Sequence, residues 1–190
     1  MIYKALDPAL LSVDERELSR RLSAPREDIS LLDRRLTDEL RGVLSPAYAA
    51  MRVSFTKADG GVYVGDIFTE SAALSRFIGD SVDGYILLAT LGAGVDRLIK
   101  RKAALSQSES FVADALADAY VESLCDLAER ELTDGRASSR FSPGYSDLAL
   151  SVGESIVERL DGGRRLGVRF TESGLMIPKK SVTAIICIKE

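Results

Sequence analysis

Six consecutive residues, Arg140-Phe141-Ser142-Pro143-Gly144-Tyr145, carry the groups that a small-molecule site needs. Arg140 offers a planar fork of N–H donors suited to a carboxylate or phosphate. Pro143 fixes its own φ and biases Ser142 toward extended backbone, so the chain turns here. Gly144 lacks a Cβ and lets a ligand approach the main chain. Tyr145 adds an aromatic face and a hydroxyl. An anion clamp with an aromatic wall is one reading, and an ordinary turn that carries Arg and Tyr is the other.

A second constellation is acidic. Asp114, Asp118, Glu122 and Asp126 recur every four residues and share one face if the segment is helical. Like charges at that spacing destabilise an isolated helix by a few tenths of a kcal/mol per pair. Either the stripe is solvated, or one or two of its carboxylates face a cationic ligand. Other chemistries are excluded by composition. The sequence has no histidine, which removes Ser-His-Asp and Cys-His catalysis and every imidazole metal ligand. Cys125 and Cys187 lie in apolar runs far apart in the chain and read as buried, inert thiols. Leu91-Gly92-Ala93-Gly94 could cradle an anion at a helix N-terminus, but Arg97 stands where the dinucleotide fingerprint needs its third glycine. A tight turn is the better reading.

These groups must be positioned by a mixed set of elements. Residues 1–48 read as a helical segment. Ser12-Val13-Asp14-Glu15 opens a stretch with Leu18 and Leu22 on one face, and a second helix over about 27–44 buries Ile29, Leu32, Leu36 and Leu40. From residue 49 to 190 the pattern is α+β. Met51, Val53 and Phe55 alternate with polar residues, and Asp59-Gly60 turns the chain, so 51–68 is a hairpin. A short helix over about 71–78 leads to a buried strand at 85–91. Ser106-x-x-Glu109 opens the long acidic helix, which runs to about Thr133. Ser151-x-x-Glu154 caps another helix, stopped by Asp161-Gly162-Gly163. Leu166, Val168 and Phe170 alternate as a strand, and Ser181–Ile188 is apolar on both faces, as a central strand requires. The expected fold is a mainly antiparallel sheet with helices packed on it.

The 190 residues suffice for an unstapled core. With 25 basic and 29 acidic residues the net charge is −4, so a clustered cationic footprint for nucleic acid is not expected. No apolar stretch approaches a membrane span, and the N-terminus does not read as a signal peptide. A cytoplasmic protein is expected.

Arg140, Pro143, Gly144 and Tyr145 form an R-x-x-P-G-Y pattern. It is followed in order by Asp147-Leu148, Thr171-Glu172-Ser173, Met176, Pro178, Ser181 and Val182. This series resembles the activation domain of cobalamin-dependent methionine synthase and its short free-standing homologues. The acidic helix and Thr90-Leu91-Gly92 are similar too, so the resemblance covers roughly residues 45–188. The N-terminal segment shows no match, and the family's domain runs on past the Ser181-Val182 strand to supply further ligand-contacting tyrosines.

The resemblance implies an S-adenosylmethionine site. Arg140 would grip the ligand's carboxylate, the main chain of Phe141, Ser142, Pro143 and Gly144 would line the site, and Tyr145 would wall it. Asp118 would face the ligand from the long helix, with Glu122 as the alternative. Cobalamin would sit only on the partner, a cobalamin-carrying methionine synthase or a related corrinoid methyltransferase, served by a flavodoxin-type electron donor. The implied role is to present the methyl donor for reductive methylation of cob(II)alamin, which needs no histidine base because cobalt is the nucleophile. A conventional methyltransferase would instead show a parallel sheet with βαβ crossovers, and a non-binding scaffold would show no response to ligand.

Overall fold

The computed structural model describes residues 1–13, 18, 35–136 and 138–188. Its frame is a seven-stranded sheet of β1 (Ile2–Ala5), β2 (Ala47–Ala58), β3 (Gly61–Val64), β4 (Ile67–Thr69), β5 (Asp83–Thr90), β6 (Ser138–Phe141) and β9 (Ser181–Ile188). The order is β4-β3-β2-β5-β9-β6, with β1 against the first part of β2 and β3 against its last part. A separate ribbon pairs β7 (Arg169–Phe170) with β8 (Met176–Ile177). Every pairing among the described residues is antiparallel, as the hairpin at 51–68 and the apolar run at 181–188 led us to expect.

Alternation along the central strands feeds two cores. Leu87, Ala89, Ala184 and Ile186 face α2 (Ala93–Leu105) and α3 (Gln107–Leu132). Ile86, Leu88, Ile185 and Cys187 face α1 (Ala72–Ile78) and α4 (Ser151–Arg159). Period-two burial on both faces is what makes β5 and β9 nearly continuous apolar runs. The cap of α3 forms as its sequence suggests, with Ser106 Oγ accepting from Glu109 N at 3.3 Å. In the turn at Gly92–Gly94 a Cβ on Gly94 would overlap the Val43 carbonyl, so this glycine serves close backbone approach.

Several local readings are corrected. Residues 1–48 are not uniformly helical. Ile2–Ala5 is a strand on β2, and residues 44–46 lead directly into β2. A four-residue strand is too short to show a period, and its partner lies over forty residues away in the chain. Residues 35–41 are helical and bury Leu36 and Leu40, whereas Ile29, Leu32 and most of the first expected helix lie outside the described residues. Ser151 does not cap α4, because the N-cap position is Leu150 and it makes no side-chain capping bond. The expected strand around Leu166 and Val168 is mostly α5 (Gly162–Leu166), and only Arg169–Phe170 is extended. Asp161-Gly162-Gly163 starts a new turn of helix instead of ending the helical region, with Asp161 and Gly167 both left-handed at its ends. Val168 still reaches the core.

Candidate ligand site at the edge of the sheet

β6 is an edge strand whose register sets Arg140 opposite Ile186 and Phe141 opposite Ile185. Strand alternation therefore sends these neighbours to opposite faces. Arg140 points to α3. Its Nη1 lies 2.7 Å from Asp126 Oδ1 and 2.8 Å from Glu129 Oε2, and its Nη2 lies 3.2 Å from Glu122 Oε2. The three acids differ in burial: the Glu129 side chain is 14% exposed, that of Asp126 61%. Glu129 also accepts from Ser138 Oγ at 2.5 Å, so it clamps both β6 residues that face the helix. Burial works against the Arg140 charge, but its hydrogen bond to Asp126 and the charges of Asp126 and Glu129 outweigh it and raise the pKa above the ordinary guanidinium value.

Asp118 is not in this cluster. Lys180, nearly buried just before β9, places its Nζ 2.6 Å from Asp118 Oδ1 and 2.9 Å from Asp114 Oδ1. Burial opposes the Lys180 charge, yet the two carboxylates raise its pKa above the ordinary lysine value. The acidic ladder thus divides, with Asp114 and Asp118 on a lysine and Glu122 and Asp126 on an arginine. Its like-charge repulsion is relieved by the chain's own cations.

The turn after Arg140 is built from Tyr145 N donating to Ser142 O at 3.1 Å and Gly144 N donating to Leu148 O at 2.8 Å. Gly144 has φ +87°, which strains any residue with a side chain, and a Cβ on it would stand 2.7 Å from Leu150 Cδ2 and push that side chain aside. Tyr145 is exposed and meets Phe141 edge-on at 5.6 Å, and Phe141 in turn packs on Phe77. Asp147 fixes the turn to α1. Its carboxylate accepts from the Ser71 hydroxyl, from Ala72 N at 2.9 Å and from Ala73 N at 3.2 Å. The Ser71 bond holds its pKa below the usual carboxylate range against the opposing effect of desolvation, aided by the two backbone N–H groups.

A cavity of about 220 Å³ lies between α3 and the chain at Leu10–Ser12, where Ser12 N donates to Ser123 Oγ at 3.1 Å. Glu122 and Asp126 line it, together with Arg130, which makes no ion pair among the described residues. Exposed carboxylates beside guanidinium groups are the complement of a zwitterion, with places for both an ammonium and a carboxylate. Of the residues singled out in the sequence, Arg140 and Glu122 come together. Asp118 pairs elsewhere, Pro143 lines a different cavity, and Phe141 packs on the opposite face.

No protein-family model and no curated protein matches the sequence. Among solved structures, the chain matches the crystal structure of the MetH reactivation domain bound to AdoHcy. The TM-score is 0.75 at 16% identity, over 98% of this chain and 78% of that one. The fold is that of the MetH reactivation domain. The antiparallel α+β expectation holds, and the parallel sheet of a conventional methyltransferase does not. No helix among the described residues is long and apolar enough to cross a membrane. Within this reactivation-domain fold, sequence reasoning missed Glu129 and Lys180. Glu129 stands seven residues after Glu122, close to two helical turns, and so was within reach of periodicity. Lys180 pairs across 62 residues and left no local trace.

Proposed function

We propose that the chain binds S-adenosylmethionine or its demethylated form and acts as a reactivation subunit for a separate cobalamin-dependent methionine synthase. The observation that carries this reading is a charge imbalance on α3. Among the described residues, five carboxylates, Asp114, Asp118, Glu122, Asp126 and Glu129, ion-pair with two cations, Arg140 and Lys180, and two of the five border a cavity. A methyl donor with an ammonium and a sulfonium suits that surplus.

Arg140 would take the ligand's carboxylate, held in place by Glu129. Glu122 and Asp126 would yield the guanidinium and turn to the ammonium. That exchange is inexpensive because exposed ion pairs are worth about 0.2–1 kcal/mol. Glu122 carries the acidic role better than Asp118, whose carboxylate is already matched by Lys180. The main chain of Phe141–Gly144 and the outward ring of Tyr145 would flank the ligand. The sulfonium supplies the methyl group and the partner's corrin accepts it, while this chain binds, orients and excludes water. The crystal structure sharing the fold is of a domain bound to AdoHcy, which supports an adenosyl ligand. A related corrinoid methyltransferase is the alternative partner.

A second reading is a scaffold that has lost ligand binding, favoured by the engagement of Arg140 with three acids. Calorimetry with S-adenosylmethionine and with AdoHcy separates the two. We expect 1:1 heats weakened tenfold or more by Arg140→Ala, the worth of a charged hydrogen bond. Mixing with cobalamin-loaded methionine synthase and a reductant should then restore the methylcobalamin spectrum. Absence of heat with both ligands would leave the scaffold.

A further inference from the structure

The sheet face opposite Arg140 carries a larger cavity, about 420 Å³, between β9, the start of α4, the β7–β8 ribbon and Pro143. This volume lies in the range of small-molecule sites. The walls are apolar: Leu150, Phe170, Leu175 and Met176 join Pro143. Two polar side chains interrupt them. Thr183, a residue only 4% exposed, lines the cavity with its side chain. A hydroxyl on the wall of an apolar chamber can donate to and accept from whatever occupies it, and so can orient a ligand there. Lys179 reaches the same cavity without an ion pair, while its backbone N–H is fixed by Asp96 Oδ2 at 2.8 Å.

Gly153 keeps the space open. A Cβ there would stand 2.9 Å from Thr183 Oγ1, 3.3 Å from Phe170 Cζ and 3.5 Å from Pro143 Cβ, all three of them cavity residues. Gly153 stands in the first turn of α4, and its missing Cβ leaves room beside the hydroxyl.

We propose that this cavity is a second binding site for a small organic anion. Its flat or branched apolar body would lie against Phe170 and Met176. One acceptor atom would take the Thr183 hydroxyl, and a carboxylate or similar group would meet Lys179 at the mouth. The proposal is independent of the Arg140 cluster, which faces α3 across the sheet.

The probes are 1-naphthoate and its uncharged counterpart 1-naphthamide, titrated into the full chain and followed by the methyl NMR signals of Leu150, Leu175 and Met176. Naphthoate should saturate at one equivalent and shift those methyls, binding more tightly than naphthamide. Thr183→Val should weaken both probes about three- to tenfold, the range for a lost neutral hydrogen bond. Lys179→Gln, at an exposed position that the fold does not need, should weaken naphthoate alone. Gly153→Ala should reduce binding by filling the space, and Arg140→Ala should leave it unchanged. Shifts confined to other methyls, or equal affinity for the two probes with no response to Lys179→Gln, would overturn the proposal. Displacement of naphthoate by AdoHcy, together with weakening by Arg140→Ala, would show one site where we assign two.

Discussion

The long helix α3 carries two ion clusters that look alike in sequence and differ in physics. At its N-terminal end, Lys102 is 6% exposed and bonds Glu39 at 2.8 Å and Glu109 at 3.0 Å. Arg35 reaches both acids and Arg101 reaches Glu39, so three cations surround two carboxylates and both acids are matched. Further along, Arg140 and Lys180 face five carboxylates, of which four are near half-exposed or more. The first cluster is closed to a cation, because both of its carboxylates are matched inside the protein. The second is open, because its surplus is negative and part of it borders a cavity. A buried, balanced cluster fixes structure, whereas an exposed, unbalanced one has charge left over for a ligand.

The sharpest way to break this contrast is Lys102→Met. Removing the central cation strands Glu39 and Glu109, and breaking a buried pair costs several kcal/mol; the partial exposure of both acids reduces the expected loss to about 2–3 kcal/mol. Urea denaturation measures it, and adenosyl-ligand affinity should not change. The closed cluster also has a pH signature. The Lys102 hydrogen bond holds the Glu109 carboxyl below the usual carboxylate range, against desolvation and with help from the Arg35 charge. A depressed folded-state pKa contributes stability above the unfolded value, and that contribution disappears as pH falls below the ordinary carboxylate range and through the folded one. Lys102→Met should therefore shrink the difference in urea midpoint between pH 7 and pH 3. An unchanged difference would remove Glu109 from the acid response. Next in size is Arg140→Ala, which leaves the buried Glu129 with Ser138 alone. It should cost about 1–2 kcal/mol of stability, less than Lys102→Met because Glu122 and Asp126 are exposed. Its larger effect should be on ligand affinity. A stability loss equal to that of Lys102→Met, with no ligand effect, would make both clusters structural.

How far this contrast was legible depends on where each partner lies in the chain. The long helix, its Ser106 cap and its acidic face follow from spacing within thirty residues. The hairpin and the central strands follow from period two. The motif at 140–145 marks a real turn, but spacing places its clamp Arg140 and its lining residue Phe141 in one site, and a four-residue polar edge strand splits them across the sheet. Ser138-Ser139-Arg140-Phe141 has no apolar alternation, so only its pairing with β9 makes it a strand. Asp147 matched a family pattern in sequence, and its visible work is to cap a helix some seventy residues earlier. Lys180 is the clearest loss. It neutralises the very aspartate that sequence alone offered to a ligand, through a contact that only the folded sheet creates. Local periodicity reports which face a residue takes, and long-range pairing decides what it meets there.

The smallest expected effect on the fold is the most discriminating test of the open cluster. Glu122→Gln with Asp126→Asn removes two exposed pairs with Arg140, each worth about 0.2–1 kcal/mol. The same change relieves like-charge contacts with Asp118 and with each other, by a few tenths of a kcal/mol each. These contributions nearly cancel, so stability should shift by less than about 0.5 kcal/mol, and Arg140 should stay on Glu129. Cationic-ligand affinity should nevertheless fall, and the fall should be greater for S-adenosylmethionine than for AdoHcy, which lacks the sulfonium charge. Part of the wild-type affinity should also be lost at high salt, because the acids border open solvent. Equal losses for the two ligands would mean that the acids read only the shared ammonium. A stability loss near that of Lys102→Met would show the acidic face to be as structural as the closed end.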